Sequence, residues 1–152
     1  MLFRSKVRFI YSGDNYNTDR EKVIENICRI VSTLIQLPKE LHIEFKNLPK
    51  SVQAEACVQH QFKNRIRINE TTSSKAVIKP LIHELIHINQ LETGVLSCTR
   101  DGFYIWKNKL YNNYDPNTME ISDYEKLPWE QDVANKQHIL LEKVLEIGLS
   151  KT

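Results

Sequence analysis

Apolar and polar positions change period several times along the chain, and the changes outline its elements. The stretch from Val7 to Tyr11 predicts a strand. Thr18 and Glu21 then have the spacing of a capping box, in which the two side chains satisfy free amides at a helix start. Val23, Ile24, Ile27, Ile30, Val31 and Leu34 follow at helical spacing, and that helix must stop before Pro38. Leu41, Ile43 and Phe45 alternate with His42 and Glu44, which predicts a strand. Residues 52–60 give a weaker strand, and Ile66 and Ile68 mark another within Asn64 to Asn69. Thr71, Thr72, Ser73 and Ser74 are candidate caps for a second helix reaching about Leu91. Pro80 either kinks that helix or occupies its first turn, and Gly94 suits its end. Phe103, Ile105 and Trp106, then Leu110 and Tyr111, predict a hairpin in which Asn108 takes a positive φ. Asn112 to Lys126 reads as irregular loop. Pro128 opens a last helix carrying Val133, Ile139, Leu140, Val144 and Leu145. Strands followed by helices, without strict alternation, indicate an α+β fold, and 152 residues fit one domain over positions 1–152.

Composition narrows the class of partner. The formal net charge is +2, too near balance to imply a nucleic-acid or membrane-surface partner. Lys63, Arg65 and Arg67 alternate with Ile66 and Ile68, which reads as the wet face of a strand. Cys28, Cys57 and Cys98 are odd in number and far apart, arguing against a disulfide framework and for a reducing compartment. The first residues lack an apolar stretch long enough for a signal peptide. No run approaches the roughly 20 apolar residues of a membrane helix, so the expected location is the cytoplasm.

The chemistry is concentrated in His83-Glu84-Leu85-Ile86-His87. On a helix, positions i and i+4 share one face, so two imidazoles there can hold one zinc ion. Glu84 is rotated from His83 by about 100° around the axis, which lets its carboxylate reach a metal-polarised water as a general base. Ile78, Leu81, Leu85 and Ile88 form an apolar stripe on another face. Catalytic zinc has three protein ligands. The candidates for the third are Glu130, His138, Asp132 and Glu125, Glu130 standing near a helix start after Pro128.

The ordered set His83-Glu84-Leu85-Ile86-His87-Ile88-Asn89-Gln90, Trp106, Tyr124 and Pro128-Trp129-Glu130-Gln131-Asp132 resembles small metallopeptidase-like proteins encoded by bacteriophages. These are similar to the gluzincins, whose third zinc ligand is a glutamate on a following helix. The resemblance covers about residues 64–134. It implies zinc ligation by His83, His87 and Glu130 and base catalysis by Glu84. Asn108 stands where glycine is usual, and Asp132 and Val133 replace glutamate and alanine. Larger gluzincins carry an aspartate where this chain has Ala134, so the groups supporting the zinc histidines must differ.

Other residues admit two roles. Gln90 either bonds a ligand or Glu130, or is an exposed polar residue. Tyr104, Tyr111, Tyr114 and Tyr124 are candidate oxyanion stabilisers or packing residues. Cys98 is a fourth ligand or a buried thiol, and His42 and His60 are structural or solvated. The expected fold is zincin-like: a small twisted mixed sheet on the active-site helix, the C-terminal helix carrying the third ligand. Asn64 to Asn69 would form the edge strand above the zinc and pair with extended substrate. The expected activity is zinc-dependent hydrolysis of a peptide or protein, in the host cytoplasm if phage-encoded. The rivals are a catalytically silent zinc-binding structural or assembly protein, a nucleic-acid-associated protease, and a metal-free interaction domain.

Overall fold

A computed structural model of the chain describes residues 7–13, 18–56, 64–111 and 119–150. The predicted positions Cys57, His60, Lys63 and Tyr114 lie outside them, as does the end of the weak strand at 57–60 and the side chain of Thr18. The chain begins with a β–α–β unit: β1 (Arg8–Ser12), α1 (Thr18–Ser32) and β2 (Glu40–Lys46), with β1 and β2 parallel. Gly13 ends β1 at φ 110°, and a Cβ there would collide with the carbonyl of Phe45. β3 (Ala54–Ala56) follows, then β4 (Arg65–Asn69). The sheet is mixed and runs β1-β2-β4-β3, with β4 parallel to β2 and antiparallel to β3.

This order corrects one expectation. The segment Asn64 to Asn69 is not the edge strand: β4 is paired on both sides, and the edge beside α2 (Ile78–Thr93) is β3. Ile66 and Ile68 are fully buried, as an interior strand requires, whereas an Ala-Glu-Ala strand carries almost no pattern of its own. The other face of the sheet is charged. Glu44 meets Arg65 at 3.3 Å and Arg67 at 3.6 Å, and Arg67 meets Glu55 at 3.6 Å.

Residues 74–77 form a turn leading into α2, and the Ser73 hydroxyl oxygen accepts from the Ala76 amide. Pro80 is therefore in the first turn of α2, where its missing N–H has no partner to lose. Gly94 caps the far end at φ 80°. A three-stranded antiparallel sheet follows: β5 (Leu96–Cys98), β6 (Tyr104–Trp106) and β7 (Lys109–Tyr111). Its hairpin turns on Lys107 and Asn108 at φ 47° and 70°, two positive values as in a type I′ turn. The segment read as loop up to Lys126 contains a short helix, α3 (Ile121–Glu125), with no buried residue, which explains why no apolar period announced it. The long helix α4 (Pro128–Ser150) closes the chain.

Two hydrophobic clusters result. The large one joins one face of the four-stranded sheet to α1, α2 and α4, through residues such as Ile24, Val31, Ile43, Ile68, Leu85 and Val133. The small one consists of Leu96, Trp106, Leu127 and Trp129, with Tyr104 and Tyr111 packed against it. Among the described residues, no helix is long and apolar enough to cross a membrane.

Candidate metal centre

Leu81, Leu85 and Ile88 are fully buried in the large cluster and fix the rotation of α2. His83 and His87 consequently share another face, with ring centroids 5.0 Å apart. Glu130 approaches from the first turn of α4. Pro128 opens that helix, and the amides of Glu130 and Gln131 both donate to the Leu127 carbonyl. Trp129 is locked into the small cluster by the rings of Tyr104 at 5.1 Å and Tyr111 at 5.3 Å. Glu130 is thereby turned inward, with Oε1 3.0 Å from His87 Nε2 and Oε2 3.4 Å from His83 Nε2. The Tyr124 hydroxyl of α3 donates to Glu130 Oε1 at 2.8 Å.

The three side chains offer ligand atoms that all lie within 4.8 Å of one another, so the group can hold a metal ion. Ligand bonds of zinc length in a tetrahedron place neighbouring ligand atoms about 3.3 Å apart, close to the spacings seen here. Two imidazoles and one carboxylate are also a donor set suited to zinc.

The electrostatics are those of three groups that hold one another charged. Burial alone would raise the Glu130 carboxyl. The bonds from His83 and His87, the His87 charge and the Tyr124 hydroxyl outweigh it and hold Glu130 well below the usual carboxylate range. Burial opposes charge on His83 and His87, but the bond to Glu130 and the nearby Glu84 raise both. Glu84 behaves differently. Its burial pushes the carboxyl up against the opposing histidines and the amide of Ala56, which donates to Glu84 Oε2 at 2.8 Å. A carboxylate raised in this way is a better proton acceptor near neutral pH.

Each histidine has an outer partner. Gln90 is fully buried, so the exposed-polar alternative is excluded; it bonds His87 rather than Glu130, with Oε1 2.8 Å from His87 Nδ1. Gln137 Oε1 lies 3.3 Å from His83 Nδ1. Sequence reasoning missed Gln137, although it follows Glu130 by the seven residues that also separate Gln90 from His83, a two-turn spacing that keeps both on one face. Ala56 was missed as well, because its contribution is a backbone amide.

The rival ligands stand elsewhere. His138 and Glu125 are exposed, and Asp132 bonds Gln90 and Lys136. Cys98 is half-buried, donates to the Thr99 carbonyl at 3.4 Å, and is not part of the metal group. His42 is half-buried beside Glu40 at 3.1 Å. A cavity of about 160 Å³ opens at the centre, lined by Ala56, Glu84, His87, Tyr104, Tyr124 and Trp129. Beyond Glu84 and Tyr124 a wider groove of about 780 Å³ runs past Ala54, Pro80, His83 and Ile121. No family model matches the chain, and searches of curated proteins and of solved structures return no significant match.

Proposed function

We propose that the chain is a zincin-like peptidase of the gluzincin type, holding zinc on His83, His87 and Glu130 and hydrolysing peptide bonds with Glu84 as base. The observation that carries this reading is the convergence of the three ligand atoms from two helices, with a fourth side chain, the burial-raised carboxyl of Glu84, beside them. Zinc would supply Lewis acidity, polarising the substrate carbonyl and the attacking water. Glu84 accepts the proton of that water and passes it to the leaving amine. The Ala56 amide fixes one Glu84 oxygen, so the other would be the one to accept the proton. Tyr104 borders the cavity, where its hydroxyl can donate to a developing oxyanion, whereas the Tyr124 proton is already given to Glu130 Oε1. By the alternation of an antiparallel ladder, Ala54 and Ala56 turn their backbone groups away from β4. Ala54 therefore offers an extended peptide in the groove a strand to pair with.

The test combines metal and activity. Protein purified without added metal and then reconstituted should carry one zinc per chain. Glu84→Gln should keep that zinc while peptide hydrolysis falls by several orders of magnitude. Zinc without hydrolysis that depends on Glu84 would point to a silent structural or assembly protein, and a chain that takes up no zinc would end the zincin reading.

A further inference from the structure

Gln90 is a fully buried amide at the back of the candidate centre, and the chemistry of its neighbours leaves it one orientation. One end of the amide lies 2.9 Å from the Trp129 carbonyl and 2.9 Å from Asp132 Oδ2. A backbone carbonyl only accepts, so that end must be the NH2. The other end, 2.8 Å from His87 Nδ1, must then be the oxygen, and Nδ1 must be the donor. When the ring gives up its second proton to bind a metal, that leaves Nε2, the atom facing Glu130, as the nitrogen that would ligate it. Gln137 repeats the device more loosely: its Nε2 donates to the Lys79 carbonyl at 3.5 Å, and its oxygen faces His83 Nδ1 at 3.3 Å.

We infer that Gln90 is the positioning residue of the centre, selecting the tautomer of His87 and aiming its ring, and that Asp132 holds Gln90 in the orientation that does so. The inference rests on reading His83, His87 and Glu130 as a metal site. Asp132 touches no ligand itself. It acts through Gln90, and Lys136 Nζ, 3.0 Å from the same Asp132 oxygen, completes a chain from the surface to His87. The chain also crosses from α4 to α2, so it aligns the helix that carries the histidines with the helix that carries Glu130. A neutral amide oxygen in this place accepts from His87 without bringing a further negative charge to the ligand ring, unlike the carboxylate partners common at metal histidines.

The test compares zinc affinity by chelator competition, the visible spectrum of the cobalt(II)-substituted protein, and the His87 Nδ1–H signal in nitrogen-15 spectra. Gln90→Met keeps the shape of the side chain and removes its hydrogen bonds. It should weaken zinc binding about 10–100-fold, the usual effect of losing an outer partner, change the cobalt spectrum and move the Nδ1–H signal away from its hydrogen-bonded position. Asp132→Ala, at a partly exposed site, should give a smaller loss of the same kind. Combined with Gln90→Met it should add little, because both act in one chain. Folded variants with lowered thermal stability but unchanged zinc affinity and cobalt spectrum would overturn the inference and leave Gln90 a packing residue. If Gln90→Met does not fold, Asp132→Ala decides alone, and an unchanged affinity and spectrum there overturns it equally. A wild-type chain that binds neither zinc nor cobalt fails before any variant is compared, and removes the metal reading together with this one.

Discussion

His83 and His87 stand on a helix buried in the large hydrophobic cluster, whereas Glu130 stands on a helix start held by the small one. The large cluster is built from two layers and contains most of the fully buried side chains, including Leu41, Ile43, Ile66 and Ile68. The small one has four buried residues, and its hairpin exposes Phe103 and Leu110. The two regions therefore differ in what they can hold without help. The large cluster fixes the histidines whether or not an ion is present. The small one seats Trp129 beside Glu130, although Val133 one turn on ties the body of α4 to the large cluster, and regions with few buried contacts open at lower cost than the rest of a fold. A metal bound by all three residues joins the two clusters, so that part of its binding energy stabilises the weaker one.

Four measurements break or sharpen this contrast. Glu130→Ala removes the one proposed ligand that stands beside the small cluster. It should lower zinc affinity well beyond the ~10–100-fold of an outer partner, while His138→Ala leaves chelator competition unchanged; the reverse result would mean that the third ligand is wrongly assigned. Next in size is a matched pair of cavities. Ile43→Ala, in the large cluster, should cost about 2–5 kcal/mol in urea unfolding. Leu96→Ala, in the small one, should shift global unfolding less but weaken zinc binding more. Equal effects of the two on both readouts would mean that the clusters behave as one.

The third measurement is pH dependence. The metal-free histidines are raised, so their contribution to stability is complete below the unfolded value of about 6.5 and is lost as pH rises through the folded values. Glu84, also raised, disfavours the folded state further once it must ionise. Glu130 is depressed, so its contribution is present above about 4.3 and lost only as pH falls through its folded value. Zinc binding competes with protons on the same histidines and strengthens with pH. The melting temperature of metal-free protein should thus fall from pH 6.5 to 8 while the increment from added zinc grows. Parallel curves would contradict the ion-pair arrangement. The smallest effect is Asn108→Gly, which relieves a positive φ in the hairpin turn. It should stabilise by no more than about 1 kcal/mol, seen as slower amide exchange in β6 and β7 alone.

The histidine helix was legible in the sequence because its apolar period and its chemistry lie on separate faces of one element, and both can be counted. The same holds for β2, whose alternation is strict, and for the Lys107-Asn108 turn. Glu130 was legible as a candidate, but geometry was needed to separate it from Asp132, two residues away and turned toward Gln90 instead. What could not be read depends on backbone or on distant partners. Nothing in Ala54-Glu55-Ala56 announces an edge strand, and α3 buries no residue that could give it a period. Gln137 looks like any polar residue on an exposed stretch of α4 until α2 is placed beside it.

The hydrogen bond between the Ala56 amide and Glu84 also bears on how the sheet edge meets other molecules. An open strand edge is a template on which other chains can assemble, and folded proteins blunt such edges by keeping them short, charged or occupied. β3 is three residues long, displays Glu55, and has one of its outward amides taken by Glu84. Glu84 thus shortens the stretch of this margin along which a foreign strand can zip. Removing the carboxyl altogether, as in Glu84→Ala, frees that amide and makes β3 a more adhesive border between molecules.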